Sequence, residues 1–154
     1  MESVRERMMK NIHAALEAIT VANGYANTLN AVERALQRGQ SMQPPMAYLL
    51  EGDDDVIGEA PLGYVSRNLQ VGVVLVVQQD EEQDARSASE VLNSLIADVQ
   101  KKMQEDERRG NLAVTTAETG VSPVQIDEGM PVLSATVAYR IQYRHSRLDP
   151  TIAG

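Results

Sequence analysis

Residues 132–145 read VLSATVAYRIQYRH. Leu133, Ala135, Val137, Tyr139, Ile141 and Tyr143 alternate with Ser134, Thr136, Arg140, Gln142 and Arg144, and only Val132 and Ala138 are apolar in the second set. Successive side chains of an extended chain point to opposite faces, so a period of two specifies a β-strand with one face buried and one wet. Its β-branched and aromatic residues suit a pleated surface. At ~3.4 Å per residue the stretch spans on the order of 45 Å, against about 20 Å for an ordinary strand. One end of it is therefore expected to leave the domain's own core. Pro150 has no N–H and ends it.

Working outward, residues 112–118 read as a neighbouring strand. Residues 84–106 give the clearest helix, with Ala88, Val91, Leu92, Leu95, Ile96, Val99 and Met103 in one stripe. Acidic residues 80–84 precede it, Arg108 and Arg109 follow it, matching the helix dipole, and Gly110 is the expected stop. Residues 68–78 form a central strand, with Leu69, Val71, Val73, Leu75 and Val77 on one face and Val74 and Val76 on the other. Gly72 marks a bulge or a close approach. Residues 46–51 and 30–36 read as shorter strands. Residues 3–19 form a second amphipathic helix through Val4, Met8, Ile12, Ala15, Leu16 and Ile19, with Ser3 as N-cap and Glu6 completing a capping box. Asn23-Gly24 closes that helix with a left-handed turn.

This order predicts an α+β (α/β) fold: one domain over residues 1–154, a mixed sheet of four or five strands, and two amphipathic helices packed on one face. Residues 38–45, 52–63 and 119–130, rich in Gly, Pro and Asp, read as long loops, which are usually functional.

Composition limits the chemistry. The 154 residues hold no Cys, so disulfides and thiolate catalysis are excluded. The longest apolar run, residues 71–77, is too short for a bilayer, and MESVRERMMK lacks the apolar centre of an export signal. A net charge of −8 disfavours gripping of nucleic-acid phosphates, which needs clustered Lys and Arg, but does not exclude a surface that DNA slides past. His13 and His145 are far apart in sequence and read as lone surface histidines rather than metal ligands. Asp53, Asp54 and Asp55 lack the alternating spacing of a calcium loop and read as a solvated acidic loop. Phosphate-binding glycine motifs are absent, and Ser134 and Thr136 have no nearby base. No catalytic residue, cofactor or metal is assigned, and the chain is not expected to be an enzyme. Arg140 and Arg144 share the wet face of the long strand, with Arg147 just beyond; they are read either as a solvated face or as one side of intersubunit ion pairs with the acidic residues.

Three segments together resemble the tail terminator (tail completion, minor tail protein U-like) family of tailed bacteriophages. They are IHAALEAI at residues 12–19 with Asn23-Gly24-Tyr25, LIADV at 95–99 followed by Asp106 and GNLA at 110–113, and VAYRIQYRH at 137–145 closing on Leu148-Asp149-Pro150. Residues 52–63 and 119–130 have no counterpart in that pattern. The resemblance implies a structural virion protein of the tail neck, assembled in the host cytoplasm. It would form a ring with itself, usually a hexamer, that caps the tail tube and stops its polymerisation. It would then join head-completion or connector proteins, and sheath if the tail is contractile, while DNA passes through the lumen without sequence-specific binding and without any membrane.

A ring needs two different patches per subunit that meet head-to-tail. The candidates are Arg140, Arg144 and Arg147 for one, and the loop of residues 52–63 with Asp53, Asp54 and Asp55 for the other, or for docking to the neck. Two other readings stay open: another ring component of the neck or of an injection machine, and a small-molecule-binding α/β domain with its loops as lids.

Overall fold

The computed structural model describes residues 1–34, 43–78, 87–122, 125–126 and 132–154, the pair 125–126 as backbone alone. Its elements are α1 (Val4–Glu17), β1 (Ala31–Glu33), β2 (Met46–Ala60), β3 (Tyr64–Gln78), α2 (Ala88–Glu105), β4 (Ala113–Val121), β5 (Gln125–Ile126) and β6 (Val132–Ser146). They form one sheet in the order β1-β2-β3-β6-β4, and β5 pairs with β6 beyond the end of β4. β1 runs parallel to β2 and every other described pair is antiparallel. This is a single-sheet α+β domain with five strand positions and two helices, the class that the alternation and the helical stripes specify.

The helices cover one face. Met8, Ile12 and Leu16 of α1 and Leu92, Leu95, Val99 and Met103 of α2 pack on the odd-numbered side chains of β3 and β6. Each such side chain, fully withdrawn from water, contributes about 1.5–3 kcal/mol. A smaller cluster of Met46, Tyr48, Val76 and Val132 lies on the opposite face, which accounts for the apolar even positions of β3. The Oγ of Ser3 accepts from the Glu6 N–H at 3.1 Å and that of Ser87 from the Glu90 N–H at 3.3 Å. The Glu6 carboxylate does not return to its own N-terminus; Arg34 holds it instead. Asp98, buried on α2, accepts from the N–H groups of Ala26 and Asn27 and ties the chain after α1 to the helix layer. The close approach at Gly72 is real: a Cβ there would sit 3.2 Å from Thr136 Cγ2, while the β3–β6 register passes it unbroken.

Residues 52–63 are not a loop. Residues 46–60 are one strand, and Pro61–Gly63 turns it directly into β3. The Gly and Asp content suggests a loop, but β3 offers pairing partners along the whole length, and two bulges absorb the misfit residues. In the first, Gly52 and Asp53 oppose Gln70; a Cβ on Gly52 would lie 3.1 Å from Gln70 Cβ, a tight approach that Gln70 would have to relieve by moving. The second takes up Ile57.

The loop reading of residues 119–130 is corrected in part. Residues 119–121 belong to β4 and 125–126 to β5, while 123–124 and 127–130 lie outside the described residues. Of the expected loop 38–45, residues 38–42 lie outside the described residues, as does the acidic stretch 80–84.

The long strand also behaves differently from the expectation. β6 pairs with β3 from Val132 to Ser146 and stays in the core to its end, where Tyr143 and His145 are buried. The C-terminal tail folds back over that end: Ser146 N–H donates to Ile152 O and Val4 N–H to Pro150 O. The strand that leaves the core is β2. Beyond Leu49 every residue through Glu59 is exposed except Asp54.

Candidate assembly surface

The outer half of β2 and the start of β3 form an arm, and Asp54 fixes its root. The first bulge turns Asp54 onto the helix face, opposite Leu69. There its Oδ2 accepts from the Tyr143 hydroxyl at 2.6 Å and from Arg5 Nη1 at 3.3 Å. Arg67 Nη1 stands 3.7 Å from Oδ1 and donates to the Asp54 carbonyl at 3.4 Å. One carboxylate thus joins β2, β3, β6 and α1. Burial first, then the bond to Asp54, pushes the Tyr143 hydroxyl well above the usual tyrosine range, so it stays a donor.

A second tie runs beside it. Arg5 donates to Glu51 Oε1 from Nε at 3.2 Å and from Nη2 at 3.1 Å, and Arg34 Nη2 donates to Glu51 Oε2 at 3.0 Å and to Glu6 Oε2 at 3.1 Å. The Arg34 hydrogen bond holds the Glu6 carboxyl below its ordinary range. A cleft of about 180 Å³ opens between Ser3, Arg5, Arg67, Tyr143, His145 and Pro150. Its arginines are committed to Asp54 and Glu51, so its chemistry is that of a structural joint.

His145 is not the surface residue that the sequence suggests. It is buried, and its Nε2 accepts from Arg67 Nε at 2.9 Å. Arg67 can only donate, so in the neutral ring Nδ1 carries the proton, aimed at Ser146 O at 2.7 Å. His13 lies 2.9 Å from Val32 O and 2.6 Å from the Glu17 carboxylate, and shares no partner with His145.

Strand alternation divides the three aspartates. Asp54 is internal, whereas Asp53 and Asp55 are exposed along the outer edge of the arm. The three arginines separate as well. Arg140 and Arg144 share the face away from the helices, opposite Gln70 and Ser66. Arg140 is exposed and also sits opposite Ala117 of β4, while Arg144 is half-buried with its Nε unpartnered. Arg147 pairs with Glu59 of the arm in the same chain, and its N–H donates to Gly63 O at 2.9 Å. The candidate residues therefore form no single site: Asp54 and Arg147 serve the arm itself, Asp53 and Asp55 face outward at one edge, and Arg140 lies toward the other.

The sequence reading missed the apolar surface of the arm. Leu62 is 95% exposed and Leu148 is 94% exposed. The Arg147–Gly63 hydrogen bond joins the two chain segments that carry them. Val56, Ile57 and Ile152 are exposed on the same end of the sheet. The available signal was three large aliphatic residues, Val56, Ile57 and Leu62, inside a Gly-, Asp- and Pro-rich stretch, where solvated loops seldom need them. At the opposite edge β4 exposes Val114, Glu118 and Val121, with Glu107, Arg108 and Arg140 also exposed around it.

Among the described residues no group of three or more His, Asp or Glu side chains is placed to hold a metal ion, and no helix is long and apolar enough to cross a membrane. No protein-family model and no curated protein sequence matches this chain.

Proposed function

We propose that the protein is a ring-forming structural component of a phage tail, a tail terminator that caps the tail tube and joins it to the head-completion or connector proteins. The observation that carries this reading is the pair of unlike edges of one sheet: the outer half of β2, which exposes Asp53, Asp55, Val56 and Ile57, on one side, and β4, which exposes Val114, Glu118 and Val121, on the other. Closed rings are built from heterologous contacts between two different patches, whereas an isologous dimer needs only one self-complementary patch. The segments resembling the terminator family, residues 12–19, 95–99 and 137–145, fall on α1, α2 and β6, the elements that build the core. A net charge of −8 suits a lumen through which DNA passes without sticking.

In this reading the ring is a hexamer in the virion neck. The deciding experiment is electron microscopy of tails assembled with and without the protein. Tubes of uncontrolled length in its absence support the role, and tubes of normal length that join heads overturn it.

A further inference from the structure

We propose that His145 and Arg67 form a proton-operated latch. When the imidazole of His145 takes up a second proton, Arg67 passes from His145 to Asp54, and the C-terminal strap, residues 147–154, comes off the end of β6. The latch is a property of the single chain and does not depend on the ring reading above.

The bonded arrangement accepts only a neutral ring. His145 is 8% exposed, and its Nε2 accepts from Arg67 Nε at 2.9 Å. With the Nδ1 proton aimed at Ser146 O, 2.7 Å away, a second proton can go only to Nε2. The guanidinium keeps its own protons, so a charged ring sets N–H against N–H, and two positive charges, at hydrogen-bond distance.

Arg67 has a second seat. Its Nη1 stands 3.7 Å from Asp54 Oδ1, and that buried oxygen has no hydrogen-bond partner. Oδ2 of the same carboxylate is already taken by Tyr143 and Arg5. A shift of about 1 Å turns the Arg67–Asp54 contact into a charge-assisted hydrogen bond. The acceptor left unsatisfied in one arrangement is bonded in the other, which narrows the gap between the two and makes the joint bistable.

The strap leaves because of what stays behind. A charged His145 without Arg67 needs water, and the opening beside it is the cleft of about 180 Å³ that it lines with Ser3, Arg5, Tyr143 and Pro150. Pro150 belongs to the strap. The strap is held by a few bonds around His145: Ser146 N–H to Ile152 O, Gly154 N–H to Arg144 O, Val4 N–H to Pro150 O and Arg7 to Thr151 O. The groups facing the ring give its charged form no anchor. β3 brings Arg67, α1 brings Arg5 and β6 brings Tyr143, whose hydroxyl stays protonated. Asp54 of β2 is reached only through Arg67 and Tyr143, and Pro150 and Ala153 of the strap do not titrate.

The direction follows from proton counting. The closed latch holds a neutral ring and the open one binds a proton more, so falling pH favours opening. Histidine is the side chain that ordinarily changes charge between about pH 5 and 8. An open state that binds one extra proton with ordinary histidine affinity gains about tenfold between about pH 7.5 and about pH 5.5.

Hydrogen exchange of the full chain, read by mass spectrometry and corrected for the intrinsic effect of pH, tests this. Residues 146–154 are expected to lose about tenfold in protection over that interval. The arm, residues 50–60, is expected to keep its protection, because Tyr143 and Arg5 still hold Asp54. His145→Gln retains an acceptor for Arg67 and cannot charge, so its strap is expected to stay protected at both pH values, while His13→Gln behaves as the parent. Circular dichroism checks each fold. Nitrogen NMR of the parent is expected to show the Nδ1–H tautomer at the higher pH and a ring titration with the same midpoint as strap release.

A parent strap with pH-independent protection overturns the latch. So does a pH response that persists in His145→Gln or disappears in His13→Gln. Strap and arm losing protection together means general loosening and overturns it as well. If His145→Gln does not fold, unlike midpoints for the ring and the strap in the parent overturn it alone.

Discussion

The Tyr143 hydroxyl reaches across β3 to donate to Asp54 Oδ2 at 2.6 Å, joining two strands that are not neighbours in the sheet. The same carboxylate faces Arg5 and Arg67, and its side chain is only 9% exposed. Removing it leaves a buried hydroxyl unpaired and Arg67 without its carboxylate, while Arg5 keeps Glu51. Asp54→Ala is expected to cost about 2–4 kcal/mol, the range for breaking a largely buried charged network from one side. Tyr143→Phe removes one hydrogen bond to a charged group and is expected to cost about 1.5–3 kcal/mol. Urea unfolding measures both. Limited proteolysis should cut the arm of Asp54→Ala faster than the core. Equal protection of the arm in that variant would show that Asp54 does not fix the root.

Arg109 presents the opposite case. It is 0% exposed, with φ 48°, in the turn after α2. Nη2 donates to Met103 O at 2.6 Å, but Nε has no partner, and no carboxylate pairs with it among the described residues. Burial lowers its pKa, the sign of a poorly compensated charge. The Tyr139 hydroxyl is also buried and unpartnered. One charge-assisted bond is worth about 1.5–3 kcal/mol, while desolvating a lone ion costs several. Arg109→Met is therefore expected to raise the urea midpoint, by about 1–3 kcal/mol in stability. Tyr139→Phe is expected to be neutral or to add up to about 1 kcal/mol. A large loss in Arg109→Met would mean that its bond to the Met103 carbonyl outweighs the desolvation.

The periodic parts of this fold were legible and the exceptions were not. Alternation placed β6 and β3, and apolar stripes placed α1 and α2, because each of these elements buries one face against the others. The outer half of β2 escaped because it buries neither face, so no hydrophobic pattern marks it; pairing with β3 makes it a strand, and pairing is not visible in the composition of one segment. The bulge at Gly52 then decides that Asp54 turns inward while Asp53 and Asp55 do not. No sequence count of three aspartates carries that information. His145 was misplaced for a similar reason: its cover comes from Arg67 and from the C-terminal tail, both distant in the chain.

Acid should loosen the tie between the arm and α1 at a defined point. Arg34 bridges Glu6 and Glu51, and its hydrogen bond lowers the Glu6 carboxyl from its ordinary value of 4.5. A depressed carboxyl stabilises the fold fully above its unfolded-state pKa and loses that contribution as pH falls through the folded value. All three side chains are about one-third exposed, so solvent and salt limit the Glu6–Arg34 pair to under about 1 kcal/mol. Arg34→Gln should thus be less stable than the parent at pH 7, and the difference should shrink below about pH 4. Thermal melts across this range check it, and a difference that persists at acid pH would assign the effect to lost packing.

At Leu62, where φ is 67°, the demands of the isolated chain and of an assembly oppose each other. An L residue in the left-handed region costs about 1–2 kcal/mol, and glycine recovers this less about 0.5–1 kcal/mol of extra backbone entropy in the unfolded chain. Leu62→Gly is therefore expected to stabilise the monomer by roughly 0.5–1 kcal/mol, read as a higher melting temperature. The same substitution removes the most exposed aliphatic side chain of the tip and should weaken ring formation. A purely structural turn predicts the first effect without the second. A monomer that gains stability while its assembly falls would show that the strained leucine is kept for contact with another molecule. Unchanged assembly would return the tip to an ordinary hairpin turn.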